Sequence, residues 1–256
     1  MLIIVPPSDT QQAPPEDGEP VRLEDLSFPA LSATRSRILD ALVETSAGPD
    51  AFSRLYARPS MAGDLARNTR LRELPTRPAA EVYTGPLHRA LDLSTLADDA
   101  RAHAARELVI ASALWGALRP DDRIPAYRLD VCSRLVGLDR LEPTWRTVIP
   151  DVLAEAADDG VILDLRSQGF QAIGLPAGLA DRTVTLKVRQ RVDGGFIGDV
   201  VAKRARGEAA RHLLETGADP DDPDQLADAL AERWPMELEP PHRPGHTWTL
   251  RLTLDD

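Results

Sequence analysis

One cysteine, two lysines and eleven aromatic residues are all that a chain of 256 residues holds of those types. A lone Cys132 excludes a disulfide framework and any multi-cysteine zinc or iron–sulfur site within one chain. So few aromatics cannot tile the platform on which single-strand binders stack successive bases. No run approaches the ~20 apolar residues of a membrane helix. The apolar start, Met1–Val5, is cut short by Pro6-Pro7 and has no basic flank, so it reads as a strand and not as a signal peptide. The expected location is the cytoplasm, with no membrane partner. Cations are outnumbered too: 30 Lys and Arg against 41 Asp and Glu give a net charge of −11. That excludes a uniformly basic nucleic-acid binder, and any phosphate site has to be a local patch on an acidic body.

What is present is a globular composition, 43% hydrophobic and 28% charged, in a chain long enough to bury a core without covalent staples. Leu2–Val5, Glu107–Ala111 and Val161–Leu165 are short apolar runs that read as buried strands. Helical periodicity follows Ser32 or Thr34, with Ile38, Leu39, Leu42 and Val43 on one stripe and Gly48-Pro49 as the stop. It recurs near 50–57, 61–74, 87–92 and 94–105, over Thr144–Ala157, from about Asp199 to Glu215, and over Pro223–Trp234. Glu81–Tyr83 reads as a further short strand. Val184–Val192 and Phe196–Val201 read as a hairpin turning at Asp193-Gly194-Gly195, and Thr247–Leu254 as a terminal strand. Strands and helices interleave throughout, which predicts a mixed α/β fold in a single compact domain spanning 1–256. Residues 11–25, rich in Pro, Glu, Asp and Gln, are expected to be a mobile acidic segment.

Two basic clusters stand out against the acidic background. Lys203-Arg204-Ala205-Arg206-Gly207, with Arg211 beyond, places several cations on neighbouring helical faces, and Gly207 inside a helix invites a close approach to its backbone. The second cluster runs from Arg119 through Arg123 to Tyr127 and Arg128, after a strand. Arginine forks and a lysine bind phosphate or carboxylate, although solvated faces or pairing with Asp121, Asp122 and Asp130 are the plainer alternatives. Ser8 and Ser167 each follow a strand, as substrate contacts or as caps. Other motifs carry less. His242 and His246 flank a helix-breaking Pro-Gly without a third ligand, Asp219–Asp224 reads as a cap for the next helix, and Cys132 as a buried structural thiol. No glycine-rich phosphate loop, dinucleotide fingerprint or nucleophile elbow occurs. No metal and no cofactor are expected.

At several of these residues the chain resembles the YaaA-like peroxide stress protein family. The stretches that carry the resemblance are Met1–Thr10, Val82-Tyr-Thr-Gly85, Ala113-Leu-Trp-Gly-Ala-Leu-Arg-Pro120, Pro125-Ala-Tyr-Arg-Leu-Asp130 and Lys203-Arg-Ala-Arg-Gly207, in order over about residues 1–215. The resemblance implies one compact domain with a basic cleft. It also implies a helix–hairpin–helix-like element that binds duplex DNA by its backbone, and a role in limiting oxidative DNA damage. Ser8, Thr84, Gly116, Arg119, Arg128 and Arg206 are then the candidate phosphate or substrate contacts, with the Gly116 turn presenting N–H groups. An enzyme of the same fold acting on a phosphorylated or nucleotide-like small molecule is the alternative. There Lys203 would be the acid or electrophilic group, and Tyr127 and Ser167 would position substrate. Both readings require the two clusters to face one cleft.

Overall fold

A computed structural model of the chain describes residues 1–138, 140–175, 178–190 and 198–254. Nine strands are described: β1 (Leu2–Val5), β2 (Arg77–Pro78), β3 (Leu108–Ser112), β4 (Gly116–Leu118), β5 (Arg123–Ile124), β6 (Ile162–Asp164), β7 (Thr183–Gln190), β8 (Met236–Glu239) and β9 (Trp248–Leu254). Seven form one sheet in the order β4-β3-β1-β6-β7-β9-β8, and β2 pairs with β5 in a small antiparallel ladder. The five inner strands are parallel, while β4 and β8 run antiparallel at the two edges. The mixed α/β class in one domain follows from this arrangement. Every residue of β1 and β3 is buried, as expected of parallel strands covered on both faces.

The strand order positions the site. Taken in chain order, the parallel strands β1, β3, β6, β7 and β9 lie second–first–third–fourth–fifth across the sheet. The chain leaves β1 for β3 on one side and then returns to β6 on the other. Connections diverge above the carboxyl ends of β1 and β6, and that divergence opens a crevice where open α/β sheets bind ligands.

Several expected elements are shifted, each for a local reason. Glu81–Tyr83 is not a strand: Ala79–Val82 forms one helical turn, whose Ala79 and Ala80 N–H groups donate to the Asp122 and Pro120 carbonyls. Thr144–Ala157 divides into helices Leu141–Arg146 and Ile149–Ala157. Pro150 has no N–H to donate and crowds the preceding turn, so it starts a helix instead of continuing one. The β7 strand forms as expected, but Asp193-Gly194-Gly195 lies outside the described residues, and Asp199–Val201 begin the helix Asp199–Thr216 instead of ending a strand. Residues 11–25 make tertiary hydrogen bonds: Gln12 N–H donates to the Val82 carbonyl, and the Glu19 carbonyl accepts from Thr76 N–H and Oγ1. The Asp222 side chain does cap the helix Pro223–Ala231, accepting from Gln225 N–H at 2.8 Å.

Candidate functional site

The crevice above β1 and β6 is a cleft of about 510 Å³. Residues 6–11 after β1 form one wall, and Ser167, Gly169 and Phe170 after β6 form another. Tyr127–Cys132 and the first two turns of the helix Asp199–Thr216 complete it. Of the residues proposed from sequence, Ser8, Tyr127, Arg128, Ser167, Lys203 and Arg206 all line this cleft. They come from four separate stretches of chain, and the topology gathers them at one end of the sheet.

The loop after β1 is fixed by a buried histidine. Burial lowers the His88 pKa to about 4, opposed by its bond to the Pro6 carbonyl, so the ring is neutral at pH 7. A neutral ring next to a carbonyl acceptor donates from Nε2, and the Nε2–O distance to Pro6 is 2.9 Å. Ser8 Oγ accepts from Thr10 N–H at 3.1 Å and lies against Gly85, where a Cβ would collide with it. Thr84 does not line the cleft; its N–H and Oγ1 donate to the Thr10 carbonyl at 3.0 and 3.2 Å and steady the same loop.

On the opposite side, the backbone of Arg128 is gripped by buried Asn68. Arg128 N–H donates to Asn68 Oδ1 at 2.9 Å, and Asn68 Nδ2 donates to the Arg128 carbonyl at 2.7 Å. The guanidinium reaches Asp9 at 2.7 Å, while its buried Nε has no partner. Tyr127 is buried with its hydroxyl between Ser112 Oγ at 2.7 Å and Tyr83 Oη at 2.9 Å. Ser112 Oγ already accepts from the Leu114 and Trp115 N–H groups, so its own proton goes to Tyr127. Burial raises the Tyr127 pKa to about 12, and the phenol stays neutral.

The third wall depends on buried charge. Asp164 and Arg166, both fully enclosed, form a two-pronged pair at 2.9 and 2.8 Å. Arg166 Nη1 also donates to the Phe170 carbonyl at 3.2 Å, which fixes the turn carrying Ser167 and Phe170. A buried charge needs such partners on all sides. From the helix Asp199–Thr216, Lys203 Nζ pairs with Asp199 Oδ2 at 2.6 Å, one turn apart. Arg206 is different. It forms no ion pair among the described residues, its buried Nε has no partner, and burial lowers its pKa, opposed by Asp199 and then Asp164.

Among the described residues, three cations and three carboxylates line the cleft: Arg128, Lys203 and Arg206 against Asp9, Asp130 and Asp199. Of these carboxylates, the sequence points to Asp130 beside Arg128 and, through the i,i+4 spacing, to Asp199 beside Lys203; Asp9 has no local signal. Among the described residues, no group of three or more His, Cys, Asp or Glu is placed to hold a metal ion, and no helix is long and apolar enough to cross a membrane.

Placement departs from the expectation at Gly116, Arg119, Arg123 and Cys132. Gly116 has φ +75° at the start of β4 and lies against Trp145, in a turn between two antiparallel strands and away from the cleft. Its backbone conformation and the indole beside it require glycine there. Arg119 also lies elsewhere: Nη1 donates to the Leu108 carbonyl at 3.0 Å and the guanidinium sits 5.1 Å from the Phe28 ring centroid. Arg123 donates to the Thr76 carbonyl. The two basic clusters therefore share the cleft only through Arg128, Lys203 and Arg206. Cys132 is exposed at the rim and not buried, because its N–H is held out by Asp130 Oδ1 in a tight turn. Desolvation and then Asp130 hold its thiol above the ordinary cysteine pKa, which disfavours thiolate chemistry. The close approach inferred at Gly207 is real, but the approaching group is the Leu87 carbonyl of the neighbouring helix.

Comparison with known proteins adds a family. The family model described as peroxide stress protein YaaA matches residues 1–238. A UPF0246 protein of Streptomyces coelicolor is 40% identical over 260 residues, covering 100% of this chain and 99% of its own length. A UPF0246 protein of Corynebacterium efficiens is 37% identical over 235 residues, covering 89% of this chain and 91% of its own length. One of Corynebacterium glutamicum is 29% identical over 260 residues, covering 99% of this chain and 100% of its own.

Proposed function

The chain belongs to the peroxide stress protein YaaA family, and from that premise we propose that it acts in peroxide defence by holding a small molecule with one anionic group in the cleft at the carboxyl edge of the sheet. The observation that carries this reading is Arg206. Asp9 and Asp199 already compensate Arg128 and Lys203, which leaves Arg206, among the described residues, as the cation with an open fork. A phosphate or carboxylate oxygen accepts from that fork. Ser8 and Ser167 offer further polar contacts, and Phe170, Val131 and Leu129 supply apolar wall. The cations and carboxylates of the described lining balance, so one anionic group on Arg206 leaves no cation for a second, and the ligand carries its remaining polarity as neutral or cationic groups.

Duplex DNA is the second reading, favoured by the convergence of Arg128, Lys203 and Arg206 on one open face. It would limit oxidative damage by covering the phosphate backbone, in a cytoplasmic protein. The near-neutral lining and the net charge of −11 weigh against it, since a phosphate-tracking surface needs an excess of cations. Arginine Nε–Hε NMR of the full chain separates the two readings, with inorganic phosphate, a nucleoside monophosphate, succinate and a short DNA duplex as probes. A small anion shifting the Arg206 resonance, with little change between 50 and 200 mM salt, supports the cleft reading. Duplex binding that weakens by orders of magnitude over the same salt range supports the DNA reading and overturns the first.

A further inference from the structure

An exposed carboxylate holds a largely buried cation across the cleft. The Asp9 side chain is 79% exposed and that of Arg128 only 16%, and Arg128 Nη1 donates to Asp9 Oδ1 at 2.7 Å. Asp9 belongs to the wall formed by residues 6–11 and Arg128 to the wall formed by Tyr127–Cys132, so the pair joins two sides of the cleft.

Neither wall needs that pair to stay in place. The loop is held on both sides of Asp9: the Pro6 carbonyl accepts from His88, and the Thr10 carbonyl accepts from Thr84 N–H and Oγ1. Just beyond, Gln12 N–H donates to the Val82 carbonyl at 2.8 Å. On the facing wall Asn68 grips the Arg128 backbone. The two walls are also joined without charge, because Gln11 Oε1 accepts from Tyr127 N–H at 2.8 Å. An ion pair with one partner so exposed adds little to stability, so its main consequence is for what Arg128 can still bind. The Asp199–Lys203 pair differs, since both groups stand one turn apart on the same helix and Lys203 is 41% exposed to water.

On the reading that Arg206 takes a ligand's first anionic group, on which this inference rests, we propose that Asp9 sets the charge specificity of the cleft as a built-in anion on Arg128 that turns a second one away. A guanidinium fork on an anchored backbone is a ready site for a carboxylate or phosphate, and here the chain fills it with a carboxylate of its own. An anion brought to Arg128 has to displace Asp9 and then lie beside it, and such a like-charge contact is how a site rejects the wrong partner. The substrate class is therefore a monoanion, and a dianion of the same shape is refused. An uncharged side chain at position 9 frees Arg128 and turns the cleft into a site for two anionic groups.

The probes are the linear dicarboxylates from succinate to adipate, each paired with its monoamide, which has the same shape and one charge fewer. Arginine side-chain NMR of the full chain follows Arg206 and Arg128 separately. In the wild type a monoamide should move the Arg206 resonance and leave Arg128 unmoved, and the matching dicarboxylate should bind no more tightly. In Asp9→Asn at least one dicarboxylate should gain about tenfold over its monoamide and move both resonances. Arg128→Gln added to Asp9→Asn should cancel that gain, and Asp9→Glu should keep the wild-type preference. Asp9→Ala removes any remaining acceptor at this position and should show the same gain as Asp9→Asn. A preference unchanged in both Asp9→Asn and Asp9→Ala while Arg206 still responds, or a wild type that already favours the dicarboxylate, overturns the role of Asp9 and leaves the reading of the cleft intact. An Arg206 resonance that no probe moves in any of these proteins overturns that reading and the role of Asp9 with it.

Discussion

A Cβ on residue 207 would fall inside contact distance of the Leu87 carbonyl oxygen, so Gly207 is what lets the helix Asp199–Thr216 lie directly on the helix Pro86–Leu91. The same helix then delivers Lys203 and Arg206 to the cleft. Arg211 locks the register by donating to the Leu91 and Asp92 carbonyls at the end of the shorter helix, at 3.0 and 2.8 Å.

Gly207→Ala sets two effects against each other. Helix propensity favours alanine by about 1 kcal/mol, while forcing a methyl group against a backbone carbonyl costs about 1–3 kcal/mol. A backbone atom cannot swing aside as a side chain does, so the second effect is expected to win. Thermal unfolding should show a lower midpoint than wild type. A raised midpoint would mean that the two helices are not in the contact described.

His88 gives a pH signature. Its folded pKa is about 4, against an ordinary histidine value of 6.5. Between those values the unfolded chain binds the proton and the folded chain does not, so stability falls as pH drops from about 6.5 toward about 4. The shift corresponds to something on the order of 3 kcal/mol. His88→Gln keeps a donor for the Pro6 carbonyl but cannot titrate, so urea unfolding from pH 7 to pH 4 should lose this part of the slope. An unchanged slope would place the histidine in water.

Gly85→Ala should separate binding from folding. Residue 85 has an ordinary negative φ of −72°, and the new methyl meets chiefly the Ser8 hydroxyl, the end of a short side chain. Rotation of Ser8 takes Oγ out of the clash at a cost within about 1 kcal/mol and off the Thr10 N–H, while Ser8 Cβ, 3.1 Å from the new methyl, has to give by a few tenths of an ångström. The variant should keep its melting temperature within a few degrees and lose affinity for the small anion that shifts Arg206. Wild-type affinity would remove Ser8 from the site.

Lys203→Arg distinguishes a contact from a proton-transfer group. Arginine can keep the pairing with Asp199 one turn away but cannot give up a proton near neutral pH. With Lys203 acting through its charge, the variant should protect cells from peroxide as wild type does. Loss of protection with ligand affinity intact would instead make Lys203 a reacting group.

The fold was legible where a pattern is local. Leu2–Val5 and the apolar run ending at Ala111 are continuous because parallel inner strands are covered on both faces. The alternation Met236-Glu237-Leu238-Glu239, set between Trp234-Pro235 and Pro240, is the period-two signal of the edge strand β8. Pro150 likewise announced the break in the helix predicted over 144–157. The site was legible in its cations but not in its balance. Arg128 meets Asp9 across 119 positions of sequence, and no local rule links them. Arg119 and Gly116 sit in one of the stretches that carry the resemblance, yet they serve the β3–β4 edge through Leu108, Phe28 and Trp145. A motif marks what a fold needs as readily as what a ligand needs.

The most direct measurement is peroxide survival of cells that lack the gene and are complemented with wild type or Arg206→Gln, with the level of folded protein checked in both. A cleft that works by holding one anionic group on Arg206 predicts that wild type restores survival, whereas the variant accumulates normally and leaves the cells sensitive. Full protection by Arg206→Gln would contradict it.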